Sequence, residues 1–288
     1  MICALHLCPH PDDEVIGAGG TLLGLAEHGH RVVNFACGLG RPDQRERRRA
    51  ELQAACERAG FELVVREPPL AISRTDDLEL AQRTLAADVV RLVREEAVDL
   101  VVSPSPHDGH HGHEVVGRAA RDALARLGGR APRWWMWGLW SDLPLPTLLS
   151  AFDEARLERV LHVLAAHAGE LARNDYPGLV RARARANAIL GAERVFGFGA
   201  AGGPEPFAEL LTEAVRSPVG WLAGARRRLD LAAPLEGDPG APLGWWLDAV
   251  SLRDRALQEG WSPAVPAPTA AARPRSPRRP GAGSASEA

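Results

Sequence analysis

Residues 2–37 read ICALHLCPHPDDEVIGAGGTLLGLAEHGHRVVNFAC. The first seven, ICALHLC, are an apolar run of strand length; the polar turn PHPDDE follows, and Val15 to Ala26 then repeats apolar residues at helical spacing. Gly29 ends that helix, and Arg31 to Cys37 (RVVNFAC) has the β-branched and aromatic enrichment of a second strand. Strand, helix and strand in this order make a βαβ unit, which implies a parallel pair and a right-handed crossover.

The alternation continues outward from this unit. An arginine-rich loop, RPDQRERRR, leads into a helix through Ala59 closed by Gly60, and Glu62 to Arg66 is a third strand. Asp76 to Glu96 carries leucines and valines at three- and four-residue spacing, Val98 to Ser103 is a buried strand, and the loop PSPHDGHHGH precedes a helix from Glu114 to Leu127. Arg133 to Trp140 (RWWMWGLW) reads as a further strand and Asp153 to Arg173 as a helix. This predicts an α/β fold, a Rossmann-like and mostly parallel sheet sandwiched by helices, with sites at the carboxyl ends of the strands, where both His/Asp-rich loops lie. From Pro204 the alternation is lost. PFAELLTEAV and GWWLDAVSLRDRALQEG read as helical, so the expected division is a main domain over 1–203, a helical extension over 204–261 and a disordered Pro/Ala/Arg-rich tail over 262–288.

Composition narrows the classes. The chain has 288 residues, 45% hydrophobic and 25% charged, with a formal net charge of −3, an ordinary soluble balance that carries no nucleic-acid footprint. All 34 basic residues are arginine, which excludes lysine-based catalysis. Cys3, Cys8, Cys37 and Cys56 form no Cys-x-x-Cys pair, so neither a disulfide framework nor a zinc knuckle is indicated, and a reducing, cytoplasmic location fits. MICALHLC lacks the basic lead and length of a signal peptide, and no apolar run approaches the roughly 18 residues of a transmembrane helix.

The chemistry concentrates in two loops. His10-Pro11-Asp12-Asp13-Glu14 sets an imidazole and three carboxylates in one turn. Helix capping accounts for one aspartate and Glu14, but it leaves His10 without a role. His10 and Asp13, three residues apart in a tight turn, can face one point and bind a metal, with Asp12 elsewhere in the pocket. Mononuclear sites of two imidazoles and one carboxylate keep positions open for water and substrate, so a third ligand is needed. The second loop offers His107, Asp108, His110, His111 and His113. The competing reading there is an exposed histidine tract of adventitious metal affinity. Turn chemistry needs only Gly109 and Gly112.

PHPDDE at 9–14, GAGGTL at 17–22 and HHGHEVVGRA at 110–119 resemble the LmbE-like, or PIG-L-like, zinc-dependent N-deacetylases, with looser similarity over 1–200. The resemblance implies that His10, Asp13 and His113 are metal ligands, Asp12 the general base and His110 the group that stabilises the oxyanion. It implies hydrolysis of the N-acetyl group of an amino sugar or N-acetylated glycoconjugate, with zinc as cofactor; the ligand set also suits ferrous iron. Gly112 departs from the pattern, standing where the family commonly has an aspartate that orients the first histidine, and Asp108 is the residue that could substitute from the other side. Arg48-x-x-Glu51 is also family-like, with Arg48 a candidate contact for substrate hydroxyls or a phosphate against the competing reading of a solvated arginine cluster. Asp76 or Asp77 could bond a sugar or cap the next helix. Trp134, Trp135, Trp137 and Trp140 offer stacking faces, though most such residues are core.

Two further readings compete. A dinucleotide-dependent oxidoreductase is opposed by glycine spacing at 17, 19 and 20 that misses the Gly-x-Gly-x-x-Gly turn, and by carboxylates where a pyrophosphate would sit. A non-catalytic metal- or carbohydrate-binding protein is suggested by Gly112 and opposed by Asp12. Within the enzyme class, an amidase acting on a larger acyl group or sugar conjugate stays open.

Overall fold

The computed structural model describes residues 1–70, 72–73 and 76–261. In the first half β1 (Cys3–Cys8), α1 (Asp13–Ile16), α2 (Gly19–Glu27), β2 (Arg31–Ala36), α3 (Arg45–Ala59), β3 (Glu62–Val65), α4 (Leu78–Glu95), β4 (Leu100–Pro104), α5 (His111–Leu127) and β5 (Arg133–Trp137) follow one another. The second half adds β6 (Leu148–Phe152), α6 (Glu154–Leu164), α7 (Ala168–Leu171), α8 (Tyr176–Phe196), β7 (Phe207–Ser217), β8 (Gly220–Ala223), β9 (Arg227–Arg228), α9 (Gly244–Leu247) and α10 (Leu252–Gln258). All strands join one sheet in the order β3-β2-β1-β4-β5-β7-β6-β9, with β8 paired to β7. The five strands from β3 to β5 are parallel, and β7 runs antiparallel to both β5 and β6.

This is the mostly parallel α/β sheet that the alternation predicts. Side chains alternate across it as a strand requires. Leu5, Val101, Trp134 and Met136 pack with Leu85, Val89, Val116 and Ala120 of α4 and α5. Ala4, Val102, Trp135 and Trp137 pack with Leu22, Leu52 and Val160 of α2, α3 and α6 on the opposite face. Three of the four clustered tryptophans are therefore core, and Trp140 alone of them is exposed.

The helix expected over 15–26 is broken into α1 and α2 at Gly17 and Ala18, where a Cβ on Gly17 would sit 2.7 Å from the Trp137 ring. The larger correction lies beyond residue 204. PFAELLTEAV is not helical but belongs to β7, buried within the sheet. Its leucines, alanines and glutamates are good helix formers, but tertiary partners override that propensity. Glu209 accepts the backbone N–H groups of Gly20 and Thr21 at the start of α2, and Glu213 accepts from Trp135 Nε1 and is paired with Arg133 and Arg227. Of the helical extension only α9 and α10 are helices. The tail expected over 262–288 lies outside the described residues.

β1 and β4 are neighbours, and the chain leaves β1 towards β2 on one side and β4 towards β5 on the other. That reversal opens a crevice at the strands' carboxyl ends, where α/β sheets bind ligands. The loops after β1 and β4 both end in it.

Candidate metal centre

The loop after β1 is a turn closed by the bond from Asp13 N to His10 O, and it holds Asp12 at φ 116°, a conformation that side-chain-bearing residues seldom adopt. The turn aims Asp13 Oδ2 at two imidazoles, 3.0 Å from His10 Nδ1 and 3.3 Å from His113 Nε2. His113 sits in the first turn of α5, and nitrogens of His10, His110 and His113 lie within 4.8 Å of one another. Donors around a four-coordinate zinc with bonds near 2.0–2.1 Å stand roughly 3.3 Å apart. The Asp13 contacts to His10 and His113 match that spacing, so the residues fit a divalent ion.

Charge points the same way. Burial opposes the charging of His113, but Asp13 and Asp108 outweigh it and push its pKa up to about 10. Burial raises the Asp13 carboxyl, yet His113 and His10 draw it well below the usual carboxylate range. The cluster thus holds a cation between two buried carboxylates, and a metal can take the proton's place.

Asp12 is 4% exposed, and burial together with the charges of Asp13 and Glu14 raises its pKa well above the ordinary value. Burial and the repulsion of His10, His113 and His111 press His110 down to about 2, so its ring is neutral, and its Nδ1 is buried without a partner. One face of His110 stacks on Trp140, with ring centroids 5.5 Å apart.

Asp108 is corrected on both expectations. It is fully buried, accepts from the backbone N–H groups of Leu139 and Trp140, and lies 2.7 Å from His113 Nδ1. It therefore orients His113, the usual arrangement behind a metal-bound imidazole. It neither substitutes for the missing aspartate beside His110 nor is free for substrate. A Cβ on Gly112 would lie 3.0 Å from the His10 ring, so the helix start passes against His10 where an aspartate would have to displace it.

Arg48 lines the same pocket of about 200 Å³. It donates to Pro11 O, lies 3.3 Å from Glu170, and leaves Nε buried without a partner. Asp76 is not in this pocket. It bonds Ser73 in an adjoining cleft of about 410 Å³ that shares His10 and His110 with it, while Asp77 caps α4 through Leu80 N. His107 turns away to Trp246 O. Sequence reading missed Arg173 and Tyr176 on the pocket wall, which come from the α7–α8 connection and the start of α8 and belong to no local motif.

The family described as PIG-L, GlcNAc-PI de-N-acetylase, matches residues 5–124. The chain is 30% identical over 139 residues to the probable N-acetyl-alpha-D-glucosaminyl L-malate deacetylase 2 of Bacillus cereus, covering 43% of this chain and 61% of that protein's length. Among solved structures it is similar to the A40926 pseudoaglycone deacetylase Dbv21, with a TM-score of 0.58 and 20% identity over 72% of this chain and 95% of the other. It is also similar to the N,N'-diacetylchitobiose deacetylase of Pyrococcus horikoshii, with a TM-score of 0.53 and 19% identity over 73% and 83%. At such identities the likeness shows a shared fold. The match to the PIG-L family spans residues 5–124, which contain both histidine-bearing loops.

Proposed function

We propose that the protein is a metal-dependent N-deacetylase that hydrolyses the acetamide of an amino sugar or N-acetylated glycoconjugate. The observation that carries this reading is the convergence of Asp13 Oδ2 with His10 and His113 beside a second, protonatable carboxylate, Asp12. The family match and the named activity of the Bacillus cereus relative support the substrate class.

In this reading His10, Asp13 and His113 hold zinc or ferrous iron. When bound, such an ion polarises a carbonyl and brings the pKa of water towards roughly 7. Asp12 takes a proton from the attacking water as its oxygen bonds to the acetyl carbon, and returns it to the nitrogen as the C–N bond breaks. Water and amide thus become acetate and a free amine. His110, held neutral by burial and the neighbouring histidines, can give one ring N–H to the oxyanion. Arg48, with its unpaired Nε, is assigned to substrate hydroxyls, and Asp76 to a group lying in the adjoining cleft. We assign the site to residues 1–203, with β7 completing their sheet. The four free, buried cysteines support a reducing, cytoplasmic setting, and no helix among the described residues is long and apolar enough to cross a membrane.

The test is acetate release from N-acetylglucosamine and its glycosides by zinc- or iron-loaded protein. Acetate and amine in equal amounts are expected. Metal uptake with no release from any N-acetylated sugar would contradict the reading and favour a binding protein, an alternative that the unpartnered Nδ1 of His110 makes specific.

A further inference from the structure

We propose that each metal-binding loop is held by a buried carboxylate brace whose donor comes from the second half of the chain, His167 to Glu14 and Arg253 to Glu114. That these loops bind metal rests on the function proposed above; the braces themselves are read from contacts.

The two loops are built alike. Glu14 directly follows Asp13, and Glu114 directly follows His113; both glutamates are fully buried. Each spends one oxygen on a backbone N–H earlier in its own loop. Glu14 Oε2 accepts from Asp12 N at 3.0 Å, and Glu114 Oε1 accepts from Gly109 N at 3.0 Å. Those two residues are also where the loops adopt positive φ, 116° at Asp12 and 82° at Gly109. Each glutamate therefore ties down the peptide of its loop's positive-φ residue.

The remaining oxygen of each glutamate meets that donor. His167 Nε2, fully buried just ahead of α7, lies 2.6 Å from Glu14 Oε1. Arg253 Nε in α10 donates to Glu114 Oε2 at 2.9 Å, the Ser251 hydroxyl donates to the same oxygen at 3.0 Å, and Arg118 Nη1 of α5 lies farther off at 3.6 Å. A carboxylate buried without such a partner would be severely destabilised and would take up a proton or swing towards water. His167 and Arg253 lie beyond the family-matched residues 5–124. They are positioning residues: among the described residues neither is hydrogen-bonded to a donor of the metal cluster, and each reaches its loop through its glutamate. This also gives α10 a role.

Amide hydrogen exchange on metal-free protein reads the braces without any turnover. His167→Leu is expected to speed exchange at the Asp12 amide at least tenfold and leave the Gly109 amide unchanged. Arg253→Leu is expected to do the reverse, while His167→Gln, which keeps a donor towards Glu14, restores the Asp12 amide. In metal-loaded protein each leucine variant should lower kcat at least tenfold with KM within twofold. Equal acceleration of both amides in each variant, or of neither, would overturn the proposal. Should His167→Leu fail to fold, Arg253→Leu at its partly exposed position and His167→Gln carry the test. If the amides respond as expected but wild type releases no acetate, the braces stand and the deacetylase reading falls.

Discussion

Asp12 combines a backbone at φ 116°, a raised pKa and a place in the pocket beside Asp13. Strain persists at such a residue only where surrounding contacts over-determine it, and it clusters at functional sites. Because Asp13, not Asp12, touches His10 and His113, Asp12→Asn should leave bound metal unchanged. It removes the proton acceptor, so kcat should fall by about 10²–10⁴. Parallel acetate and metal assays check this, and an active Asp12→Asn enzyme would remove Asp12 from the role. The His10–Glu14 turn and the histidine-rich loop stood out in the sequence because turns need no imidazoles and capping accounts only for one aspartate and Glu14, while the resemblance singled out His113 among the loop's histidines. The partner of Asp108 did not, since which imidazole it reaches depends on how the loop folds back against Leu139 and Trp140. Arg173 and Tyr176 were invisible for a different reason: their proximity to His10 is created by the tertiary fold alone.

At the scale of elements, α5 sets the position of His113, and Gly117 sets how closely α5 approaches the loop after β4. A Cβ at Gly117 would lie 2.6–2.8 Å from backbone atoms of Pro104, Ser105 and Pro106, which cannot swing aside as a side chain can. Gly117→Ala should therefore cost about 1–3 kcal/mol of stability through overpacking. Urea denaturation measures it, and an unchanged midpoint would show that α5 has room to shift. The strand–helix alternation was legible up to β5 because buried parallel strands read as short apolar runs. β7 was not, because its two glutamates imitate the polar face of a helix while each is buried against a specific partner far along the chain: Glu209 on the start of α2, and Glu213 on Arg133 and Arg227.

For the whole molecule, β7 links the parallel half of the sheet to β6, pairing with β5 at Trp134 to Met136 and with β6 along its full length. A chain ending at residue 203 would lose that link and leave β5 as an unpaired edge with Trp135 stripped of Glu213. It should fail to fold, giving a disordered circular dichroism spectrum or aggregation on gel filtration; a monodisperse, folded fragment would show that the first half is self-sufficient. The folded sheet matters to the site because it brings the ends of β1 and β4, nearly a hundred residues apart in the chain, to one crevice. The central claim is that this crevice holds a metal ion on His10, Asp13 and His113. Elemental analysis of untagged wild type and His113→Ala tests it most directly. About one zinc or iron per wild-type chain, lost in the variant, is expected. Wild-type protein that carries no metal and takes none up when zinc or ferrous iron is added would contradict it.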